Sequence, residues 1–474
     1  MFRGAFALLI LLICVVGGVT AYVVAGRGRP PVLTIDKPER IVGQATPLEV
    51  MAEAPNGRFT ALSIAVEQGG KSFPLYALDA TQAATVTRPT KDQIQISRAI
   101  GKQSLPQLQA GPARIIVTAT RPSFLSLRSL TSSRTKDIQV RLEPPRIAVL
   151  STHHYVNHGG AEMVVYRATP PDVISGVRVG DIEYPGFPAS GAGVTSNDQA
   201  LKVAFFALLY NQDLHAPIVA FARDETGASA KVDFVDNVFE KPFKKSRIEL
   251  DDRFIDRVVP EIIEHSPAIN LQPPAEGSAD MLPDFLKING QLRTINANEI
   301  AAFSGKTSPS RLWEGPFVQL GNSQVEARFA DQRTYTYKGK EVDQQVHLGF
   351  DLAVTRGVQV VAANTGTVLN ASWLGIYGNC VVIDHGMGVQ SLYGHLSSFE
   401  VNVGDKVSRG QTIGRSGMTG LAGGDHLHFT MLVGGRMVNP VEWWDPHWIT
   451  DRVDRKLKEV SSASSATAAT PAAR

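Results

Sequence analysis

Apolar and polar residues alternate with a period of two over much of the chain, which is the pattern of half-buried β-strands. In Leu62-Ser63-Ile64-Ala65-Val66 the large apolar side chains stand two residues apart, and a turn signal, Gly69-Gly70, follows. Ile138 and Val140 repeat the spacing later in the chain. The pattern predicts a mainly β protein that is built from many short strands.

Two strand-rich stretches are separated by the turn signal Glu143-Pro144-Pro145. Residues 113–120 alternate after Gly111-Pro112, as a late strand of an immunoglobulin-type domain does. The second stretch has similar short runs and turns and ends near Asn237. We therefore predict two immunoglobulin-like β-sandwich domains, over residues 31–143 and 146–240.

The periodicity becomes helical after the second stretch. Leu250, Phe254, Val258 and Ile262 have helical spacing, although Pro260 must kink or end that helix. We predict a helical connector over residues 241–312.

Strand-like alternation resumes from about Phe317 and continues to Val438, which predicts an antiparallel β domain over residues 313–448. From Ser461 onward the chain contains only Ser, Ala, Thr, Pro and a final Arg474. This composition offers almost nothing to bury, so we predict a disordered tail over residues 460–474.

The N-terminal run from Ala5 to Ala25 is apolar and uncharged, and Arg3 and Arg27 flank it. Its length is enough to span a bilayer, so residues 5–26 are predicted to be a transmembrane anchor. In this interpretation residues 1–4 are cytoplasmic and the rest of the chain lies outside the cytoplasmic membrane. A cleaved signal peptide is the alternative, because Val19-Thr20-Ala21 resembles a small-residue cleavage site.

Composition narrows the range of partners and excludes disulfide stapling. Lys plus Arg number 47 against 45 Asp plus Glu, without long basic runs, so no nucleic-acid partner is expected. The two cysteines are Cys14, in the apolar run, and the distant Cys380. We expect no disulfide between them, because a membrane residue cannot reach the core of an external domain.

Four histidines and one aspartate in the last third of the chain are candidates for metal binding and proton transfer: His347, Asp351, His395, His426 and His428. A catalytic zinc site uses three protein ligands and keeps a fourth position open. Five candidates therefore leave two imidazoles for proton transfer, and residue chemistry alone does not say which two. The lack of a cysteine cluster argues against a closed structural zinc site.

Strand geometry decides how these residues can meet. His426 and His428 are two apart, so on a strand they share a face at a spacing of roughly 6.6 Å. His347 and Asp351 would lie about 13 Å apart in an extended strand, which is too far for two ligands of one ion. The segment must bend, and Gly349 is the residue that permits the bend.

These motifs resemble the lysostaphin and LytM type of zinc metallopeptidase between about Trp313 and Trp444. That family has an H-x-x-x-D element, a Y-x-H-L element and an H-x-H element, and all three are present in this order. The resemblance implies one zinc ion held by His347, Asp351 and His428. It also implies that His395 and His426 are catalytic and, as weaker assignments, that Asn379 and Tyr393 contact the substrate.

The resemblance implies a zinc-dependent endopeptidase that hydrolyses stem or crosslink peptides of peptidoglycan. With the apolar N-terminus, it predicts a single-pass protein of the bacterial cell envelope that is anchored in the membrane and has most of its mass outside. An envelope protein is a possible partner for the two β-sandwich domains. The alternative function is a non-enzymatic or autoinhibited scaffold that activates a cell-wall amidase; the complete set of five residues favours the enzyme.

Overall fold

The computed structural model describes residues 2–80, 84–123, 126–271 and 280–469. These residues are mainly β, as predicted, and they fall into two compact units. The first unit contains the chain as far as Pro144 together with Arg223–Ser229, and the second contains Pro145–Ala222 and the chain from Ala230 onward.

The first unit begins with helix α1, Phe2–Gly26, whose segment Phe6–Gly26 is long and apolar enough to cross a membrane. A signal sequence would have the same properties. The strands that follow are β1 Val32–Lys37, β2 Ile41–Val42, β3 Thr46–Glu53, β4 Ala61–Gln68, β5 Lys71–Ala77, β6 Thr85–Thr87, β7 Gln93–Ile100, β8 Gly111–Pro122 and β9 Ser129–Val140.

Two sheets form the core of the first unit, one ordered β1-β3-β7-β6 and the other β2-β9-β8-β4-β5. The alternation seen in the sequence determines which side chains are inside, because every second residue of a strand faces the same way. In β4, Leu62, Ile64 and Val66 are buried in the core cluster, and Ile115 and Val117 of the neighbouring β8 join them.

The second unit begins with the predicted second strand-rich region. Its strands are β10 Arg146–Val149, β11 Tyr155–Asn157, β12 Ala161–Thr169, β13 Ile174–Val179, β14 Ile182–Pro185, β15 Phe187–Pro188, β16 Leu201–Ala207, β17 Ile218–Arg223, β18 Ser229–Asp233 and β19 Asn237–Phe239. They form two four-stranded sheets, β10-β12-β16-β15 and β14-β13-β17-β18, and a parallel pair of β11 with β19.

The predicted helical connector begins with a strand. Its described elements are β20 Lys245–Leu250, α2 Asp252–His265, α3 Leu282–Lys287 and α4 Arg293–Ala302. Strand β20 forms because Ile248 and Leu250 alternate with polar residues, and it pairs in parallel with a strand of the C-terminal region, described next. Pro260 lies inside α2 and does not end it. Residues 272–279 of the connector lie outside the described part.

The last region carries the remaining strands: β21 Gln324–Ala327, β22 Asp331–Tyr337, β23 Lys340–His347, β24 Phe350–Ala353, β25 Gln359–Val361, β26 Gly366–Trp373, β27 Asn379–Gly386, β28 Val389–Leu396, β29 Ser398–Phe399, β30 Lys406–Val407, β31 Thr412–Arg415, β32 His426–Val433 and β33 Arg436–Val438. The main sheet has the order β21-β24-β32-β28-β27-β26-β30, and β33 pairs with β32. Two three-stranded sheets, β20-β22-β23 and β25-β31-β29, accompany it.

The two faces of the main sheet pack against different partners. Phe429 and Met431 of β32 belong to a core that also contains Phe205 and Phe206 of β16. Leu432 faces the other way and joins a second core with Ile262 and other residues of the connector helices. His426 and His428 differ from Leu432 by an even number of residues, so they are on the face that the connector partly covers.

The chain ends in short helices, α5 Val441–Trp444 and α6 Pro446–Trp448, and then in α7 Arg455–Ala469. Helix α7 continues through Ala469 and so extends into residues 460–474, for which the composition predicts a disordered tail. The packing of Leu457 and Val460 against the core anchors the start of this helix, and the alanines after it are good helix formers. Residues 470–474 lie outside the described part.

Candidate metal centre

Three strands bring the predicted ligands together at the end of the main sheet. His347 is the last residue of β23, and Asp351 lies on β24. The antiparallel pairing of β24 with β32 places Asp351 directly opposite His428, and β28 places Gly394 on the other side of His428. A Cβ on Gly394 would lie 3.4 Å from the Cβ of His428 and 3.4 Å from the carbonyl oxygen of Tyr377, so this glycine lets His428 and Tyr377 approach the strand closely.

The donor atoms form a tight triangle. His347 Nε2 lies 2.8 Å from Asp351 Oδ1 and 3.0 Å from His428 Nδ1, and His428 Nδ1 lies 3.0 Å from Asp351 Oδ1. Tetrahedral ligands about 2.0–2.1 Å from one zinc ion are about 3.3 Å apart. Two imidazoles and one carboxylate at this spacing suit a catalytic ion that has an open fourth position. Among the described residues, this trio forms a group that could hold a metal ion.

Each imidazole is fixed in the orientation that a ligand needs. His347 Nδ1 donates to the carbonyl oxygen of Arg328 at 3.2 Å, which leaves the lone pair of Nε2 available to bind a metal ion. His428 presents Nδ1 to the triangle, and its buried Nε2 has no hydrogen-bond partner among the described residues. The tautomer of His428 that carries its proton on Nε2 leaves the lone pair of Nδ1 available to bind a metal ion.

The bend between His347 and Asp351 occurs where the sequence predicts it, at Leu348-Gly349 between β23 and β24. The need for glycine is steric. A Cβ on Gly349 would lie 2.5 Å from Cε1 and Nε2 of His428, closer than real Cβ contacts. Gly349 therefore allows the chain to turn and also leaves space for the imidazole of His428.

Asp351 is held in its charged form. Burial alone would raise its pKa, but His347 and the hydrogen bonds from the other histidines hold the pKa well below its usual value. Its second oxygen, Oδ2, accepts a hydrogen bond from Arg333 Nη2 at 3.0 Å. Burial lowers the pKa of His428 to about 4, so the imidazole is neutral and can act as a ligand at neutral pH.

His395 and His426 lie beside the triangle with their rings 4.8 Å apart. His395 Nδ1 donates to Thr419 O at 2.8 Å and His426 Nδ1 donates to Gly424 O at 2.9 Å, so the Nε2 atom of each ring is the one turned away from the backbone. The Nε2 atom of His426 lies 3.5 Å from Asp351 Oδ1. Burial and the neighbouring histidines hold the pKa of His395 well below its usual value. Burial would lower the pKa of His426, but its contact with Asp351 raises it. The pair therefore combines a weak base with a stronger one.

The two predicted substrate contacts are placed differently. Asn379 starts β27 opposite Leu396, next to His395, and its side chain is half buried. Tyr393 is in the core on the opposite face of the sheet, where its hydroxyl contacts the backbone N–H of Ala363 and Ser391 Oγ. Tyr393 therefore lies on the face away from the metal centre in this structure, and its contact with the substrate stays a prediction.

A β-bulge explains the position of Tyr393. Tyr393 and His395 are two residues apart and would share a face in a regular strand. The register shifts between Val381↔Tyr393 and Asn379↔Leu396, and His395 has a φ of 62°. The extra residue rotates His395 onto the metal side and leaves Tyr393 inside.

Sequence reasoning missed two residues beside the site. Arg333 lies on β22, and its ion pair with Asp351 joins residues that are distant along the chain. Tyr377 is buried with its ring 5.3 Å from that of His428. No spacing rule links either residue to the motifs, because a hairpin register and a loop bring them close.

The β-sheet and its group of two histidines and one aspartate, which could hold a metal ion, are consistent with a domain of the metallopeptidase class. Residues 345–440 match the model of peptidase family M23. The C-terminal part is therefore a peptidase M23 domain of LytM type, which confirms the resemblance seen in the sequence.

Curated relatives match the same region. The DD-carboxypeptidase/endopeptidase Mpg of Neisseria meningitidis is 41% identical over 97 residues, which is 20% of this chain and 22% of the relative. The peptidoglycan DD-endopeptidase ShyA of Vibrio cholerae is 44% identical over 96 residues, with the same shares. The murein hydrolase activator EnvC of Escherichia coli is 40% identical over 95 residues, 20% of this chain and 23% of the relative.

These alignments span about a fifth of each relative. Among solved structures, a peptidase M23 from Pseudomonas aeruginosa aligns over 60% of this chain and 92% of its own, with 19% identity and a TM-score of 0.36.

Proposed function

We propose that this chain is a zinc-dependent endopeptidase that hydrolyses peptide bonds in the stem or crosslink peptides of peptidoglycan. The observation that carries the proposal is the convergence of His347 Nε2, Asp351 Oδ1 and His428 Nδ1 at separations of 2.8 to 3.0 Å. Two more histidines lie beside them, each with its Nδ1 bonded to a backbone carbonyl oxygen. The matched M23 family and the DD-endopeptidase relatives supply the substrate class.

His347, Asp351 and His428 would hold the ion. When bound, zinc supplies Lewis acidity toward a peptide carbonyl and a water molecule. His395 and His426 would do the proton transfers through their Nε2 atoms. One of them takes the proton of the attacking water, and the other stabilises the developing oxyanion or protonates the leaving amine. Their Nδ1 bonds to backbone carbonyls fix both rings for this task.

The rest of the chain would place this domain in the bacterial envelope. We propose that residues 5–26 anchor the protein in the cytoplasmic membrane and that the remainder lies outside. Residues 31–143 and 146–240 would be immunoglobulin-like sandwich domains that contact an envelope protein. The apolar helix Phe6–Gly26 supports the anchor, and the paired sheets around common cores support the sandwiches.

A second candidate function is an autoinhibited or non-enzymatic activator of a cell-wall amidase, as the EnvC relative suggests. Contacts between the connector and the site favour it. Arg257 of α2 donates to the carbonyl oxygens of Met418 and Ala422, in the loop that leads to His426. Connector helices that hold this loop could keep substrate out until a partner moves them.

The test compares the full chain, purified in detergent, with two variants. His428→Ala should lose zinc binding, because it removes a ligand, whereas His426→Ala should retain zinc and lose turnover. Zinc content and new amino termini in digested sacculi are measured for each protein. If the zinc-loaded wild-type chain releases no new amino termini, the endopeptidase proposal is refuted and the activator remains.

A further inference from the structure

An arginine from outside the matched region binds the aspartate of the candidate metal centre. Arg333 Nη2 lies 3.0 Å from Asp351 Oδ2, whereas the other oxygen, Oδ1, faces His347 and His428. Both side chains are largely buried, with exposed fractions of 18% and 12%. The two carboxylate oxygens of Asp351 therefore have different partners: Oδ2 contacts the arginine, and Oδ1 faces the two histidine ligands.

A second aspartate and a serine hold the arginine in turn. Arg333 Nε lies 3.4 Å from Asp331 Oδ2, and Asp331 is buried. Asp331 Oδ1 accepts a hydrogen bond from Ser246 Oγ at 2.8 Å. Ser246 belongs to β20, and in the parallel pairing with β22 its register partner is Arg333 itself. The polar chain therefore runs from β20 to the metal ligand.

We infer that Arg333 is a positioning residue for the metal centre and that Asp331 and Ser246 hold it in place; this inference rests on the proposed function. By binding Oδ2, the guanidinium fixes the carboxylate of Asp351 so that it offers Oδ1 alone to the ion. Partners of metal ligands commonly set ligand orientation in this way.

Charge gives a second reason for an arginine at this position. Asp331 and Asp351 are buried carboxylates on either side of one guanidinium, so the arginine compensates charge that would otherwise lie unpaired in a poorly solvated region. A lysine carries the same charge but has a single ammonium group. It cannot reproduce the fork that contacts both aspartates through Nε and Nη2.

The inference extends the functional site beyond the region that matches the family. Arg333, Asp331 and Ser246 all precede residue 345, where the family match begins. Strand β20 lies outside the predicted peptidase domain, yet one hydrogen bond and two ion pairs connect its Ser246 to the candidate ligand Asp351. The segment before the peptidase domain would therefore take part in metal binding as well as connect domains.

The test measures zinc affinity of the full chain by competition with a chromophoric chelator, and the absorption spectrum of the cobalt-substituted protein. Arg333→Gln should weaken zinc binding by at least about tenfold and change the cobalt spectrum, because Asp351 is no longer held in one orientation. Arg333→Lys should recover part of the affinity. The matched control is Arg167→Gln, which removes a 2.8 Å ion pair with Asp198 far from these residues in the chain.

A double variant keeps the test decisive if Arg333→Gln alone does not fold. Asp331→Asn with Arg333→Gln removes one of the two uncompensated carboxylates and should fold, but it should still bind zinc weakly. Wild-type affinity and an unchanged cobalt spectrum in this folded double variant overturn the inference. Failure of the wild-type chain to bind zinc refutes the proposed function, and the inference with it.

Discussion

Glu442 provides a quantitative test of how the peptidase region is joined to the strands before it. This carboxyl group lies in α5 and is fully buried, where Oε1 accepts a hydrogen bond from Asn157 Nδ2 and Oε2 accepts one from the backbone N–H of Ala161, both at 2.7 Å. Gly160 packs against it so closely that an added Cβ would lie 2.4 Å from Oε1. The carboxyl group therefore sits in the turn between β11 and β12.

The sign and size of the pH effect follow from its pKa. Burial raises the pKa of Glu442 from 4.5 to about 7, although hydrogen bonds from Ala161 and Asn157 act in the opposite direction. Between these two values the folded protein binds more protons at this group than the unfolded chain does, so stability falls as the pH rises. A difference of 2.5 pKa units corresponds to about 3 kcal/mol at 1.36 kcal/mol per unit.

Glu442→Gln should remove this pH dependence, because an amide does not titrate. The stability of the variant relative to wild type should therefore rise by about 3 kcal/mol between pH 4.5 and pH 8. Any constant cost of the amide in the pocket shifts both ends of the curve equally. Taking the difference between the two proteins cancels the titrating groups that do not interact with Glu442; Glu162, which raises the pKa of Glu442, is not one of them.

The assay is urea unfolding of the full chain in detergent, followed by tryptophan fluorescence at several pH values. All five tryptophans lie in the second unit, so the signal reports the unit that contains Glu442. Glu400→Gln, at a partly exposed glutamate that pairs with Arg415, is the control and should show no such trend. A difference between Glu442→Gln and wild type that stays constant within about 1 kcal/mol from pH 4.5 to pH 8 refutes the reasoning.

Two further predictions concern single residues of the C-terminal region. Gly349→Ala should weaken zinc binding by about tenfold or more, because the added Cβ displaces the His428 imidazole. The control Gly321→Ala should leave zinc binding unchanged, because a Cβ there meets no atom within 4 Å. Equal zinc affinity in the two variants contradicts the steric argument. In a Cys14→Ser variant, where Cys380 is the remaining cysteine, Cys380 should resist a polar thiol reagent in the folded protein and react in urea. The reason is that the thiol is buried and that burial raises its pKa. Rapid modification without urea would show that the thiol is accessible and contradict the prediction.

Much of the candidate site was predictable because local geometry is strict. His426 and His428 share a strand face by spacing alone, and the bend at Gly349 follows from the distance between His347 and Asp351. The resemblance to the LytM type then indicated which side chains act together. These inferences needed only the spacing of residues between His347 and His428 and the motifs of the family.

The remaining features depend on register and on long-range pairing. The bulge at Gly394-His395 reverses the face that simple alternation assigns to Tyr393, and one extra residue in a strand leaves little trace in a sequence. Arg333 reaches Asp351 only because β22 and β23 form a hairpin with a particular register. Strand β20 was hidden in a stretch with helical spacing, because its partner β22 lies more than 80 residues away in sequence.

The strands over residues 146–240 and the peptidase region share one core. The ring of Phe205, on β16, lies 6.2 Å from that of Trp313 and 6.0 Å from that of Trp443. A buried ion pair between Glu162 and Lys456, at 2.8 Å, joins β12 to α7. Removing one partner of such a pair costs about 3–5 kcal/mol, so the two regions stabilise each other. A partner that binds the second strand-rich region would therefore contact the folded body that carries the metal centre. If the autoinhibited activator proposed above is the function, the connector would be the element that controls the site, because its helix α2 bonds to the loop before His426.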